Sequence, residues 1–218
     1  MLQLYQQPAE AGRTRLCFDE RPYQLLGDKL AALPDRPEQV TKQDHEYVRH
    51  DTAVVLLAYD LDTSQRYAQV RAQRTKADYA EFLHQLLNTH YADVPQVELV
   101  QDNLNTHAYS SFYEHLPAAQ ARVLSRRRQV RFHFTPKHGS WLNMAELDFS
   151  ALARQCLDRR IASLKKLTHQ VQAWAAGRNQ RAVKVNWSFT LTKAEDTLQH
   201  WYTKVNPINK PEPPPQLG

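Results

Sequence analysis

Long apolar runs are missing from this chain. The longest ends at Tyr59 and is far too short to cross a bilayer as a helix, and the N-terminus does not read as a secretory signal. Cysteine is nearly missing as well. Cys17 and Cys156 are the only two, too few for a disulfide framework or a thiolate zinc cluster, so they read as reduced core residues of an intracellular protein. With five glycines and an apolar fraction of 42% in 218 residues, the composition is that of an ordinary globular chain. A domain of this length buries about 70% of its unfolded surface, so a full core is available.

One further absence is local. Between His115 and Ala145 there is no aspartate or glutamate, while Arg122, Arg126, Arg127, Arg128, Arg131 and Lys137 are all present. Arg154, Arg159, Arg160, Lys165 and Lys166 extend the bias, and the whole chain carries a net charge of +5. Such a footprint fits a polyanionic partner, nucleic acid above all, or else a solvated basic face.

Apolar periodicity sets out the elements. Arg15–Asp19 alternates with Leu16 and Phe18 on one face, as a strand does. Residues 27–51 are polar and contain proline, and are expected to form a long connection or insertion. "TAVVLLAYD" reads as a buried strand and "RYAQVRAQ" as its antiparallel partner across an Asp-Thr-Ser turn. Thr75 opens a helix with Asp78 three residues on, and Tyr79, Phe82, Leu83, Leu86 and Leu87 form its buried stripe. "QVELVQD" and "VRFHFTP" are further strands. Helices are expected over 109–116, 143–157, 164–178 and 193–201, with a short extended piece at "VNWSFT". The expected organisation is an N-terminal tail over 1–14, one α/β domain over 15–160, a helical extension of the same domain over 161–203, and a disordered Pro-rich tail over 204–218. Three strands followed by alternating helices and strands imply a mixed sheet with helices on its faces, an order that the ribonuclease H-like fold shares.

Three acids stand where the local pattern does not demand them. Asp19 lies near the end of the first strand, Asp102 closes "QVELVQD", and Glu146 occupies the first turn of the helix after the last strand. Loops at strand ends open crevices, and converging carboxylates repel one another unless a hard divalent cation joins them. Each acid also has a plain structural role open to it. Glu146 can favour a helix N-terminus capped by Asn143, Asp102 can form a turn with Asn103, and Asp19 can pair with an arginine. Ser150 and Ala153, on the face of Glu146, are small enough to let that helix lie close to the sheet.

"FDE" on the first strand, "DNLNTH" after a later one and "TPKHGSWLNMAELDFSALARQCLDRR" together resemble the DDE endonuclease domain of bacterial insertion-sequence transposases, in the insertion-sequence family numbered 630 of the mariner superfamily. The likeness runs from about Arg15 to Tyr202. It implies a ribonuclease H-like fold with Asp19, Asp102 and Glu146 as catalytic residues holding two Mg²⁺ ions, for which Mn²⁺ can substitute. It implies Asn103, His107 and Asn143 as supporting residues. Arg126, Arg127, Arg128, Arg131, Lys137, His138, Ser140 and Trp141 become candidates for DNA contact, although for Trp141 core packing is the favoured reading. Asp148, about 200° round the helix from the face of Glu146, is a poor ligand, and Glu20 points to the face of its strand opposite Asp19.

The implied activity is metal-dependent cleavage and transfer of DNA strands at transposon ends and target, by a homodimer or larger oligomer in the bacterial cytoplasm at the nucleoid. Two departures from the family stand out. Forty-three residues separate Asp102 from Glu146, more than in the mariner core, with Ala118–Arg131 able to hold the excess. Only about 14 residues precede the first strand, where family members carry a helix-turn-helix region. A non-catalytic DNA-binding remnant and a cellular ribonuclease H-like nuclease are therefore the alternatives.

Overall fold

The computed structural model describes residues 2–29, 46–127, 130–137, 139–187, 193 and 199. Strands β1 (Arg13–Asp28), β2 (Tyr47–Asp60), β3 (Arg66–Arg71), β4 (Gln96–Gln101) and β5 (Val130–Phe134) form one five-stranded sheet in the order β3-β2-β1-β4-β5. β1 and β2 pair antiparallel, as do β2 and β3, whereas β1 with β4 and β4 with β5 are parallel. Helices α1 (Leu2–Gln6), α2 (Lys76–His90), α3 (Tyr109–His115), α4 (Ala118–Arg122), α5 (Met144–Gln155) and α6 (Leu164–Gln180) flank it. This mixed sheet between helices is the expected ribonuclease H-like architecture.

The two faces of β1 follow from its alternation. Leu16 and Phe18 join Tyr79, Phe82, Leu83 and Leu87 of α2 in one core, while Cys17 joins Val55, Leu57, Phe149, Leu152 and Val171 in the other. Each fully buried leucine or phenylalanine in these layers contributes about 1.5–3 kcal/mol. At the start of α2 the Thr75 hydroxyl accepts from the Asp78 amide at 3.1 Å and the Asp78 carboxylate accepts from the Thr75 amide at 3.1 Å, completing the capping box.

The second core is locked by charge. Arg66, whose side chain has no exposed surface, meets Asp148 at 3.0 Å, and Arg178 approaches the same carboxylate at 3.4 Å. Asn179 of α6 exchanges two 2.8 Å hydrogen bonds with the Arg66 backbone. α6 is thereby fixed to the edge strand β3, and Asp148 is spoken for.

Several expectations are corrected. The N-terminal tail is partly structured: Leu4 of α1 is buried, and the Tyr5 hydroxyl donates to the Leu142 carbonyl at 2.9 Å. Only part of 27–51 is a connection, because β1 continues to Asp28 and β2 begins at Tyr47, the two pairing beyond β4 as a ribbon. Asp19 is consequently mid-strand, not near a strand end. The segment Ala118–Arg127 is α4 followed by a π-helical turn at Val123–Arg127, which takes up the extra length before Glu146. The expected tail over 204–218 and most of the expected helix over 193–201 lie outside the described residues.

Candidate active site

Strand register brings the first two carboxylates together. β1 and β4 run parallel with Leu16 opposite Leu99 and Cys17 opposite Val100. Continuing that register sets Asp19 opposite Asp102, just past the end of β4, on neighbouring strands about 4.8 Å apart. β1 carries on beyond this point without β4, so a crevice opens where β4 stops.

The third carboxylate comes from α5, and the motif "TPKHGSWLN" explains how. The Gly139 amide donates to the Pro136 carbonyl at 2.8 Å in a turn so tight that a Cβ on Gly139 would lie 2.6 Å from Pro136 Cγ. A 3-10 turn, Ser140–Leu142, follows and delivers the buried Asn143 to the start of α5. Asn143 Oδ1 accepts from the Ala145 amide at 3.1 Å, capping the helix, while its Nδ2 donates to the Phe18 carbonyl at 2.8 Å and lies 3.4 Å from Asp19 Oδ2. One side chain thus caps α5 and ties it to β1 beside Asp19.

Glu146 stands half-buried in the first turn of α5. The Asn143 amide donates to the Ser140 carbonyl at 2.8 Å, so it does not depend on Glu146 for a partner. The face that Glu146 shares with Ser150 does not lie against the sheet: Ser150 is exposed and its hydroxyl donates to the Glu146 carbonyl. The buried face is made by Met144, Ala145, Asp148, Phe149, Ala151 and Leu152.

Asp102 has its own neighbour. Its Oδ1 stands 2.5 Å from Nδ1 of His107, whose Nε2 lies 3.6 Å from Glu20 Oε2. Glu20 is almost wholly buried and faces Arg74 at 3.3 Å. The residue after Asp19 does point to the opposite face, yet it reaches the site through the His107 ring. Strand alternation alone sends Glu20 away from Asp19, and no motif in the sequence marks Arg74. The only available signal was an acid on a buried strand with a histidine downstream to meet it.

The electrostatics record the convergence. Burial first, and then the charges of Glu146 and Asp102, push the Asp19 carboxyl up to about 7 against the hydrogen bond it accepts from the Glu20 amide. Burial would lower His107, but its contacts with Asp102 and Glu20 outweigh this and raise it to about 9. Among the described residues, no three His, Cys, Asp or Glu side chains are gathered tightly enough to grip a metal ion as they stand. The donor set nonetheless suits a hard divalent cation, being all carboxylate oxygen, with mutual repulsion at Asp19 that positive charge would relieve.

Beside Asp102 a cavity of about 350 Å³ is lined by Asn103, Thr135, Pro136, Lys137 and Ser140. Lys137 and Ser140 are exposed at its rim, and Trp141 is also exposed, against its reading as a core residue. Arg131 is exposed on edge strand β5, 3.8 Å from Glu98. The Arg126 and Arg127 side chains, Arg128 and His138 lie outside the described parts of the structure. No described helix is long and apolar enough to cross a membrane.

A family model described as DDE superfamily endonuclease matches residues 14–168, a span that holds all three acids. Solved structures similar in fold include three Mos1 complexes. The Mos1 mariner paired end complex with Mn is 13% identical over 77% of this chain and 49% of that one, with a TM-score of 0.52. The Mos1 transposase paired-end complex with left transposon end is 14% identical over 78% and 51%, with a TM-score of 0.53. A pre-cleavage Mos1 transpososome is 14% identical over 77% and 51%, with a TM-score of 0.52. The chain thus spans about half the length of these chains. No curated protein matches it.

Proposed function

Because the chain belongs to the family of DDE superfamily endonucleases, we propose that it is the catalytic domain of a transposase, cutting DNA strands at transposon ends and joining them to target DNA with the help of divalent cations. The observation that carries this reading is geometric: the β1–β4 register sets Asp19 opposite Asp102, and Asn143 ties the start of α5, whose first turn holds Glu146, to β1 beside Asp19. Asp19, Asp102 and Glu146 would hold two Mg²⁺ ions, with Mn²⁺ able to substitute. When bound, the cations supply charge that activates water and stabilises a departing oxygen.

The chain's own residues do the positioning. Asn143 holds Asp19 against the cap of α5, and His107 holds Asp102 from the other side. Lys137 and Ser140, on the rim of the cavity beside Asp102, are placed to take phosphates of the strand being cut, with Asn103 on its wall. Arg131, Trp141, Arg126, Arg127, Arg128 and His138 are proposed to extend that contact. Water attacks the phosphodiester in line, forming one P–O bond as the bond to the 3′-oxygen breaks. The freed 3′-hydroxyl then attacks a target phosphodiester in the same way, its proton passing to solvent. No covalent bond to the protein is formed. Pairing two DNA ends calls for a homodimer or larger oligomer, working in the cytoplasm at the nucleoid.

The test is Mg²⁺- or Mn²⁺-dependent nicking and strand joining by the purified chain on end-bearing DNA. Asp102→Asn and Glu146→Gln should abolish both steps. Variants that cut as well as the parent would refute the assignment, and nicking without joining would favour a hydrolytic nuclease.

A further inference from the structure

We infer that Glu20, acting through His107, fixes the Asp102 carboxylate and is a positioning residue for the cleavage site. The inference rests on reading Asp102 as a cation ligand and goes beyond it. The His107 ring is a rigid spacer. Its side chain has no exposed surface, it stacks on Tyr79 with ring centres 4.8 Å apart, and it meets the Phe18 ring edge-on at 5.2 Å. Its backbone is held too, because Gln101 Nε2 donates to the His107 carbonyl at 3.1 Å and Gln101 Oε1 accepts from the Tyr79 hydroxyl at 2.7 Å. The ring is thus held in place on both faces, with Nδ1 also 3.3 Å from the Asp102 backbone carbonyl.

Its two nitrogens face two carboxylates, Asp102 at 2.5 Å and Glu20 at 3.6 Å. Glu20 is itself anchored, with Arg74 at 3.3 Å from its other oxygen and half exposed at the surface. Thus Arg74, Glu20, His107 and Asp102 form a line from the surface to the end of β4. The strand explains why two adjacent acids serve one place. Asp19 enters directly from one face of the sheet, and Glu20 enters from the other by way of a ring beyond the end of β4. Groups that contact a metal ligand directly are worth about 10–100-fold in metal affinity or activity; His107 is that group for Asp102, and Glu20, one contact further out, should act at the lower end of this range.

The alternative is that Glu20 only neutralises a buried ring, and the two roles differ in measurable ways. Using the full chain, Mn²⁺ binding is titrated calorimetrically and nicking is followed at steady state. Glu20→Gln should bind Mn²⁺ about tenfold more weakly and lose kcat with KM for DNA unchanged, and Glu20→Asp should recover part of both. In a double-mutant cycle, Glu20→Gln should add nothing once His107→Gln is present, since the line is already cut. Should Glu20→Gln lose its cooperative melt, Glu20→Asp carries the same comparison. The inference is overturned if folded Glu20→Gln binds Mn²⁺ and cuts as the parent does, or if its defect persists in full on the His107→Gln background. Asp102→Asn separates the two levels. If that variant loses Mn²⁺ and Glu20→Gln does not, the inference alone fails. If Asp102→Asn binds Mn²⁺ normally, the reading of Asp102 fails and the inference falls with it.

Discussion

Replacing Asn143 with alanine removes two separable contributions at once. The cap bond to the Ala145 amide, 3.1 Å, is worth about 0.5–2 kcal/mol at a helix start. The 2.8 Å bond from Nδ2 to the Phe18 carbonyl is worth about 0.5–1.5 kcal/mol, and its loss is felt fully because Asn143 has no exposed surface. Together Asn143→Ala should cost roughly 1–3.5 kcal/mol, which for a domain of this size lowers Tm by about 2–14 °C. Scanning calorimetry in chelator-treated buffer measures it. Asn143→Ser keeps an acceptor for the cap but cannot reach β1, so it should recover only about 1 kcal/mol of the loss. Asn143→Asp also keeps the cap but sets a carboxylate beside Asp19, and at neutral pH it should be less stable than Asn143→Ser. A fall of less than about 2 °C for Asn143→Ala, or full recovery by serine, would show that Asn143 does not join α5 to β1.

Three further outcomes follow from the geometry. Asp148→Asn breaks the buried contacts with Arg66 and Arg178 and should cost about 3–5 kcal/mol by denaturant titration, yet leave Mn²⁺ affinity unchanged, since this carboxylate faces the core and not the site. The folded Asp19 carboxyl titrates at about 7, against 3.8 ordinarily, so between those values the unfolded chain gives up its proton while the folded chain keeps it. Stability therefore falls as pH rises through that window. In metal-free buffer Asp19→Asn escapes this loss and should melt above the parent at about pH 8 and with it at about pH 3.5; equal melting at both would show that Asp19 is not held against its charge. Cys17 and Cys156 are both buried, so an aromatic disulfide reagent should label neither thiol until the chain is denatured, and rapid labelling of the native protein would contradict the packing around β1 and α5.

The core strands and the three long helices could be read from the sequence because their signals are local. The stripe from Tyr79 to Leu87, the Thr75–Asp78 box and the alternation around Phe18 each decide an element within a few residues. What could not be read depends on distant partners. β1 extends to Asp28 because β2 is there to pair with it, and the polar composition of that ribbon looks like a loop when taken alone. α1 has only five residues, and its position depends on Tyr5 finding Leu142. The site divides in the same way. The three acids were visible as motifs, and the register of β1 with β4 gives a geometric reason for two of them to meet. Glu20 was passed over because strand alternation sends it away from Asp19, and nothing local shows a histidine ring waiting on that side.

The bonds between Arg66 and Asn179 join residues 113 positions apart in the chain, and this separation has a consequence in time. At ribosomal speeds of about 5–20 residues per second, β3 leaves the tunnel roughly 6–20 s before α6 arrives to cover it. Throughout that interval Arg66 and an edge strand stand without their shelter, and Asp148 emerges before Arg178. The nascent chain is therefore most open to aggregation after its sheet has been synthesised and before its last described long helix has docked.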